Sequence, residues 1–114
     1  MEYIQMNKLG IIRIGNKHYS PKTENDVYIG RGSPLGNPYV IIKGLRTRDK
    51  VCDDYNIYFN QQMSIPNSKI RLEVERLLGL VKQGIDLQLM CFCAPHRCHG
   101  DIIKKYIEEK LIHL

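Results

Sequence analysis

No apolar run in these 114 residues approaches the roughly 20 that a membrane-spanning helix needs, so no span is expected. The opening Met1-Glu2-Tyr3-Ile4-Gln5-Met6 has no basic segment leading into an apolar core. That speaks against a secretory signal and for a cytoplasmic setting. Internal repeats, low-complexity tracts and linkers are missing too, which leaves one domain over residues 1–114. Neither a Walker loop nor a dinucleotide fingerprint fits the glycine spacings, and no resident cofactor is expected. Cysteine is scarce, with four in the chain, and three of them fall within Cys91–Cys98. Such clustering points to a reduced site rather than a disulfide framework.

What is present is a globular composition, 43% hydrophobic and 25% charged, with a net charge of +5 and a pI near 9.1. The excess of base suits a polyanionic partner or a phosphorylated ligand, and equally a solvated surface. Lys43, Arg46, Arg48 and Lys50 form the densest group, with Lys104 and Lys105 a second.

Periodicity gives the coarse architecture. Leu9–Ile14 and Val27–Ile29 read as short strands, with Asn16-Lys17-His18 as a hairpin turn and Val40-Ile41-Ile42 as a further strand. Thr47 caps a helix carrying Val51, Tyr55, Tyr58, Phe59 and Gln62 at helical spacing. A second helix starts at Asn67 or Ser68 and carries the stripe Ile70, Leu72, Val74, Leu77, Leu78 and Val81 before Gly84 ends it. That stripe could pair two copies in a homo-oligomer, although core packing accounts for it equally. Asp86–Cys93 alternates Leu87, Leu89, Cys91 and Cys93 on one face with Met90 and Phe92 on the other, as a central strand covered on both sides does. A last helix runs from Gly100 to Ile112. The expected fold class is α/β: a small Rossmann-like three-layer domain with a mostly parallel sheet.

In such sheets ligands bind beyond the carboxyl ends of the strands. Two polar turns leave predicted strand ends there, 30–38 and 91–101, and parallel adjacent strands would bring them together. In the first, Gly30, Gly32 and Gly36 allow close backbone approach and free amides, and Arg31 offers a charged fork. Ser33 adds a hydroxyl and Asn37 an amide suited to a base or ribose edge; a plain structural turn uses the same residue types. The second turn admits four readings. The amides of His99, Gly100 and Asp101, helped by Arg97 and His96, can bind an anion at a helix start, unless Asp101 is only the cap. Cys91, Cys93, Cys98 and His99 have the chemistry of zinc ligands but poor spacing, and no metal is expected. Cys91 and Arg97 match the Cys-x5-Arg spacing of cysteine phosphatases, although Pro95 removes an amide from the loop; Cys98, at the helix start, is the better-placed nucleophile. Small thiols filling a core, with His99 bonded to backbone and Cys52 as filler, complete the set.

The sequences Tyr28–Tyr39, with Gly30-Arg31-Gly32-Ser33-Pro34-Leu35-Gly36-Asn37-Pro38, and Cys91-Phe92-Cys93-Ala94-Pro95-x-x-Cys98-His99-Gly100-Asp101 resemble the bacterial and phage family labelled domain of unknown function 4326, over roughly Val27 to Ile107. The family's motif residues fall on Gly30, Arg31, Gly32, Gly36, Asn37, Pro38, Cys91, Cys93, Pro95, Cys98, His99, Gly100 and Asp101, and do not include Arg97. A second Rossmann-like family shares the Pro-x-x-Cys-His turn but ends it in Arg, where this chain has Gly100. The resemblance implies a compact α/β domain with a nucleotide-like or phosphate-bearing ligand. Within that expectation, Gly30, Arg31, Gly32, Ser33, Gly36, Asn37, Arg97 and Gly100 bind. His99, Asp101 and Cys98 act if the ligand is processed by glycosidic or phosphoryl transfer. Two alternatives stand beside it: a non-enzymatic nucleic-acid-binding module using the basic group, and a phage-type protein that sequesters signalling nucleotides.

Overall fold

The computed structural model describes residues 9–94 and 96–112. In chain order the elements are β1 (Ile12–Asn16), β2 (Asp26–Tyr28), α1 (Arg48–Met63), α2 (Lys69–Lys82), β3 (Leu87–Cys91) and α3 (Gly100–Ile112). The strands form one sheet in the order β1-β3-β2, and both outer strands run parallel to β3. The α/β class with a parallel sheet is therefore as expected.

The central strand explains the order. Leu87–Cys91 is buried at every position, and only a strand flanked on both edges and covered on both faces hides a whole run in this way. Ile12 pairs with Leu87, Ile14 and Val27 with Leu89, and Asn16 with Cys91, so these residues share a face. That face meets all three helices: Ile12, Leu87, Leu89 and Cys91 lie in one core cluster with Tyr55 and Phe59 of α1, Val74 and Leu77 of α2, and Ile103 and Ile107 of α3. The opposite face, with Gln88 and Met90, is crossed by the segment 17–25, to which Gln88 is tied through the Pro21 carbonyl at 3.0 Å.

That crossing corrects one expectation. Asn16–His18 does not open a hairpin, because β1 and β2 are parallel and separated by β3. The chain after Asn16 must instead return along the sheet before β2 begins. Nor is Val40–Ile42 a sheet strand; Ile42 makes only an isolated bridge to Arg46. Thr47 and Ser68 cap α1 and α2 as read, accepting from the amides of Lys50 and Arg71. Leu72 leaves the α2 stripe: at about 100° per residue it falls away from the Ile70-Val74-Leu77-Val81 face and is exposed. Among the described residues no helix is long and apolar enough to cross a membrane.

Candidate functional site

All three strands end at the same edge of the sheet, in the 17–20, 30–38 and 92–99 turns. The two polar turns meet there. Neutral His99, at the start of α3, lies with Nε2 2.5 Å from the Ile29 carbonyl oxygen. The carbonyl can only accept, so the ring proton sits on Nε2 and Nδ1 keeps its lone pair. Gly100 packs closely against the ends of β1 and β2. A methyl group there would come within 2.8 Å of Ile29 Cδ1 and 3.1 Å of Ile14 Cδ1.

Between the turns lies a cleft of about 450 Å³. That volume is in the range of small-molecule sites. Its apolar wall includes Tyr28, Tyr39, Val40, Ile41 and Phe92, with the Tyr28 and Phe92 rings edge to face at 6.0 Å. Arg31, Arg48 and Arg97 supply its charge, and among the described residues no Asp or Glu lines it.

The three arginines differ. Arg97 is exposed and bridges Asp49 at 3.2 Å and Asp53 at 2.9 Å, which ties the 92–99 turn to α1. Its fork is turned to carboxylates and not to the Cys91 sulfur, unlike the arrangement a Cys-x5-Arg phosphate loop requires. Arg31 is exposed and makes no ion pair among the described residues. Arg48 was read only as surface base. It opens α1, where the helix dipole disfavours a cation, and its Nη1 is buried with no hydrogen-bond partner among the described residues. Nothing in the sequence separates it from Arg46 and Lys50, which both pair with Asp54.

Several expected binding residues hold the loop instead. Ser33 donates to the Gly30 carbonyl at 2.7 Å, and Gly32, at φ 92°, sustains the turn away from the cleft. Gly36 lies so close to Gly30 that an added methyl would sit 2.6 Å from the Gly30 oxygen. Asn37 borders the cleft, but its Nδ2 donates to the Val51 carbonyl and its Oδ1 accepts from the Tyr39 amide. Tyr55 holds the loop from below, donating to the Leu35 carbonyl at 2.8 Å.

Of the expected catalytic groups, Asp101 accepts from the Cys98 amide at 3.3 Å as a cap on α3 and does not line the cleft. Cys98 and His99 do line it. The thiol order is the reverse of that read from sequence. Cys98 lies 3.3 Å from Cys91, and its proton, held in that hydrogen bond and buried, is pushed well up. Cys91 is lowered to about 6, first by the hydrogen bond from Cys98, against the cost of burial, and then by the amides of Cys93 and Ala94. Among the described residues no three His, Cys, Asp or Glu groups gather where they could hold a metal. Pro95 lies outside the described residues, as does its effect on the loop amides.

The sequence reading gives Asn16 only a place in a turn, not the anchoring role it has. Buried at the end of β1, it donates from Nδ2 to the Ala94 carbonyl at 2.8 Å and the Phe92 carbonyl at 3.3 Å, and accepts from the His18 amide. It thereby fixes the 92–94 turn. The available signal was a polar residue closing an apolar strand.

Burial holds the His99 ring below the usual imidazole value of about 6.5. The folded state therefore binds fewer protons than the unfolded chain as pH drops below that value, and stability falls through that window. Thermal melts from about pH 8 to about pH 5 should show this loss, and His99→Asn should flatten it. An equal slope in the variant would assign the loss elsewhere.

A family model described as Domain of unknown function (DUF4326) matches residues 12–109. No curated protein and no solved structure matches the chain.

Proposed function

The chain belongs to the DUF4326 family, and we propose that it binds a nucleotide or phosphorylated nucleotide derivative in the cleft between the 30–38 loop and the 91–101 turn. The observation that carries this reading is a concave site with three arginines, an aromatic wall and, among the described residues, no carboxylate in its lining. An arginine fork suits phosphate, and stacked rings suit a planar base. A ligand joining both chemistries uses both walls.

Binding is better supported than processing. Of the two expected bases, Asp101 caps α3 outside the cleft lining, and His99 has its Nε2 engaged by the Ile29 carbonyl. The basic group behind the nucleic-acid reading is partly engaged elsewhere: Arg46 and Lys50 share Asp54 and Arg48 lines the cleft, while Lys43 stays exposed.

Thermal shift with mono-, di- and cyclic nucleotides tests the proposal. A bound nucleotide at 100 times its Kd stabilises by about 2.7 kcal/mol, a rise of several degrees for a domain of this size. Nucleoside alone and inorganic phosphate alone should each give less. A flat response to every nucleotide would overturn it.

A further inference from the structure

Cys91 and Cys98 have no part in nucleotide binding as described, yet their sulfurs are in direct contact. Cys91 ends β3 and Cys98 precedes α3, so the sheet and the last helix bring together thiols seven positions apart in the chain. Their sulfurs lie 3.3 Å apart, both residues are buried, and both line the cleft. Cys91 Sγ also lies 3.6 Å from the Gly15 carbonyl oxygen, to which a protonated thiol there donates. We infer that Cys91 and Cys98 are a redox-active dithiol, oxidised to a reversible disulfide by a small hydroperoxide entering the cleft.

The chemistry balances within the pair and its oxidant. The Cys91 thiolate attacks one peroxide oxygen, the O–O bond breaks, and the departing hydroxide takes a proton from solvent to leave as water. Cys91 is then a sulfenic acid. Cys98 attacks that sulfur; an S–S bond forms, the S–O bond breaks, and the second water carries off the Cys98 proton. Two electrons pass from the two thiols to the peroxide. The sulfurs close from contact to about 2.05 Å.

The roles follow from the surroundings. The thiol with the lower pKa is the attacking sulfur, and Cys91, at the cleft wall, is lowered to about 6. Cys98 keeps its proton until the sulfenic acid forms and is then the nearest resolving thiol. Cys93 is partly buried and adjacent in the turn, so it is the competitor. Cys52 faces the Arg97 carbonyl at 3.7 Å instead.

The test uses the full chain, hydrogen peroxide as the probe, and alkylation under denaturing conditions followed by peptide mass mapping. The expected product is two hydrogens lighter, with Cys91 and Cys98 joined, Cys52 and Cys93 still alkylated, and full reversal by dithiothreitol. Cys98→Ser should instead leave Cys91 to progress to sulfinic acid. A linkage through Cys93, oxidation spread over all the cysteines, or a wild-type Cys91 that remains alkylatable while Cys93 oxidises would each overturn the inference. The wild-type map decides even if the variant does not fold.

Discussion

Replacing Arg48 with Met should leave a folded protein that gains much less thermal stability from nucleotides. The Arg48 Nη1 is buried without a partner among the described residues, beside the positive end of α1. A buried donor left unpaired costs about 1–3 kcal/mol, so the free protein should be no less stable in urea and can gain. A charge-assisted hydrogen bond to a ligand is worth about 1.5–3 kcal/mol, which corresponds to a loss of roughly tenfold to a hundredfold in affinity by calorimetry. Arg31→Met should cost less, because that side chain is exposed and its field is screened. Arg97→Met should act mainly through the turn it ties to Asp49 and Asp53. Unchanged affinity in Arg48→Met would remove the anion from the place assigned to it.

Asn16→Ala should be the most destabilising of these substitutions. The side chain makes three hydrogen bonds from a buried position, to the carbonyls of Phe92 and Ala94 and from the amide of His18. Its loss strips those backbone groups of partners at about 1–3 kcal/mol for each that water does not reach. A total near 3 kcal/mol lowers Tm by more than about 10 °C in a domain of this size. Asn16→Asp supplies the control. It keeps the oxygen facing the His18 amide but replaces the donor that meets two carbonyls with another acceptor, so it should not rescue. Melting of Asp and Ala variants together separates lost donors from lost packing; a stable Asp variant would contradict the assigned geometry.

Local chemistry made much of this molecule legible. Thr47 and Ser68 announce their helices because a capping hydroxyl acts within three residues. The helical spacing of Tyr55, Phe59, Val74 and Leu77 was readable because each face repeats within one turn. The meeting of the two turns followed from the rule that parallel strands gather their carboxyl ends at one edge, and the β2–β3 pairing satisfies its condition. What escaped depends on distant pairing. The turn residues after Asn16 suit a hairpin equally well, and only the insertion of β3 between β1 and β2 makes them a crossover. Arg48 looks like Arg46 and Lys50 in sequence; the difference is which of them Asp54 reaches. Strand alternation put Cys91 on the right face but could not say which amides point at it, so the two thiols were ranked in the wrong order.

Amide chemical-shift mapping during a nucleotide titration is the most direct measurement of where the ligand sits. The expected result is saturable shifts confined to the amides around Gly30, Arg31, Tyr39, Arg48, Phe92 and His99, the rim of the cleft. Shifts that gather instead at the amino ends of the strands, around Thr23 and Asp86, or that never saturate, would contradict a nucleotide site between the two turns.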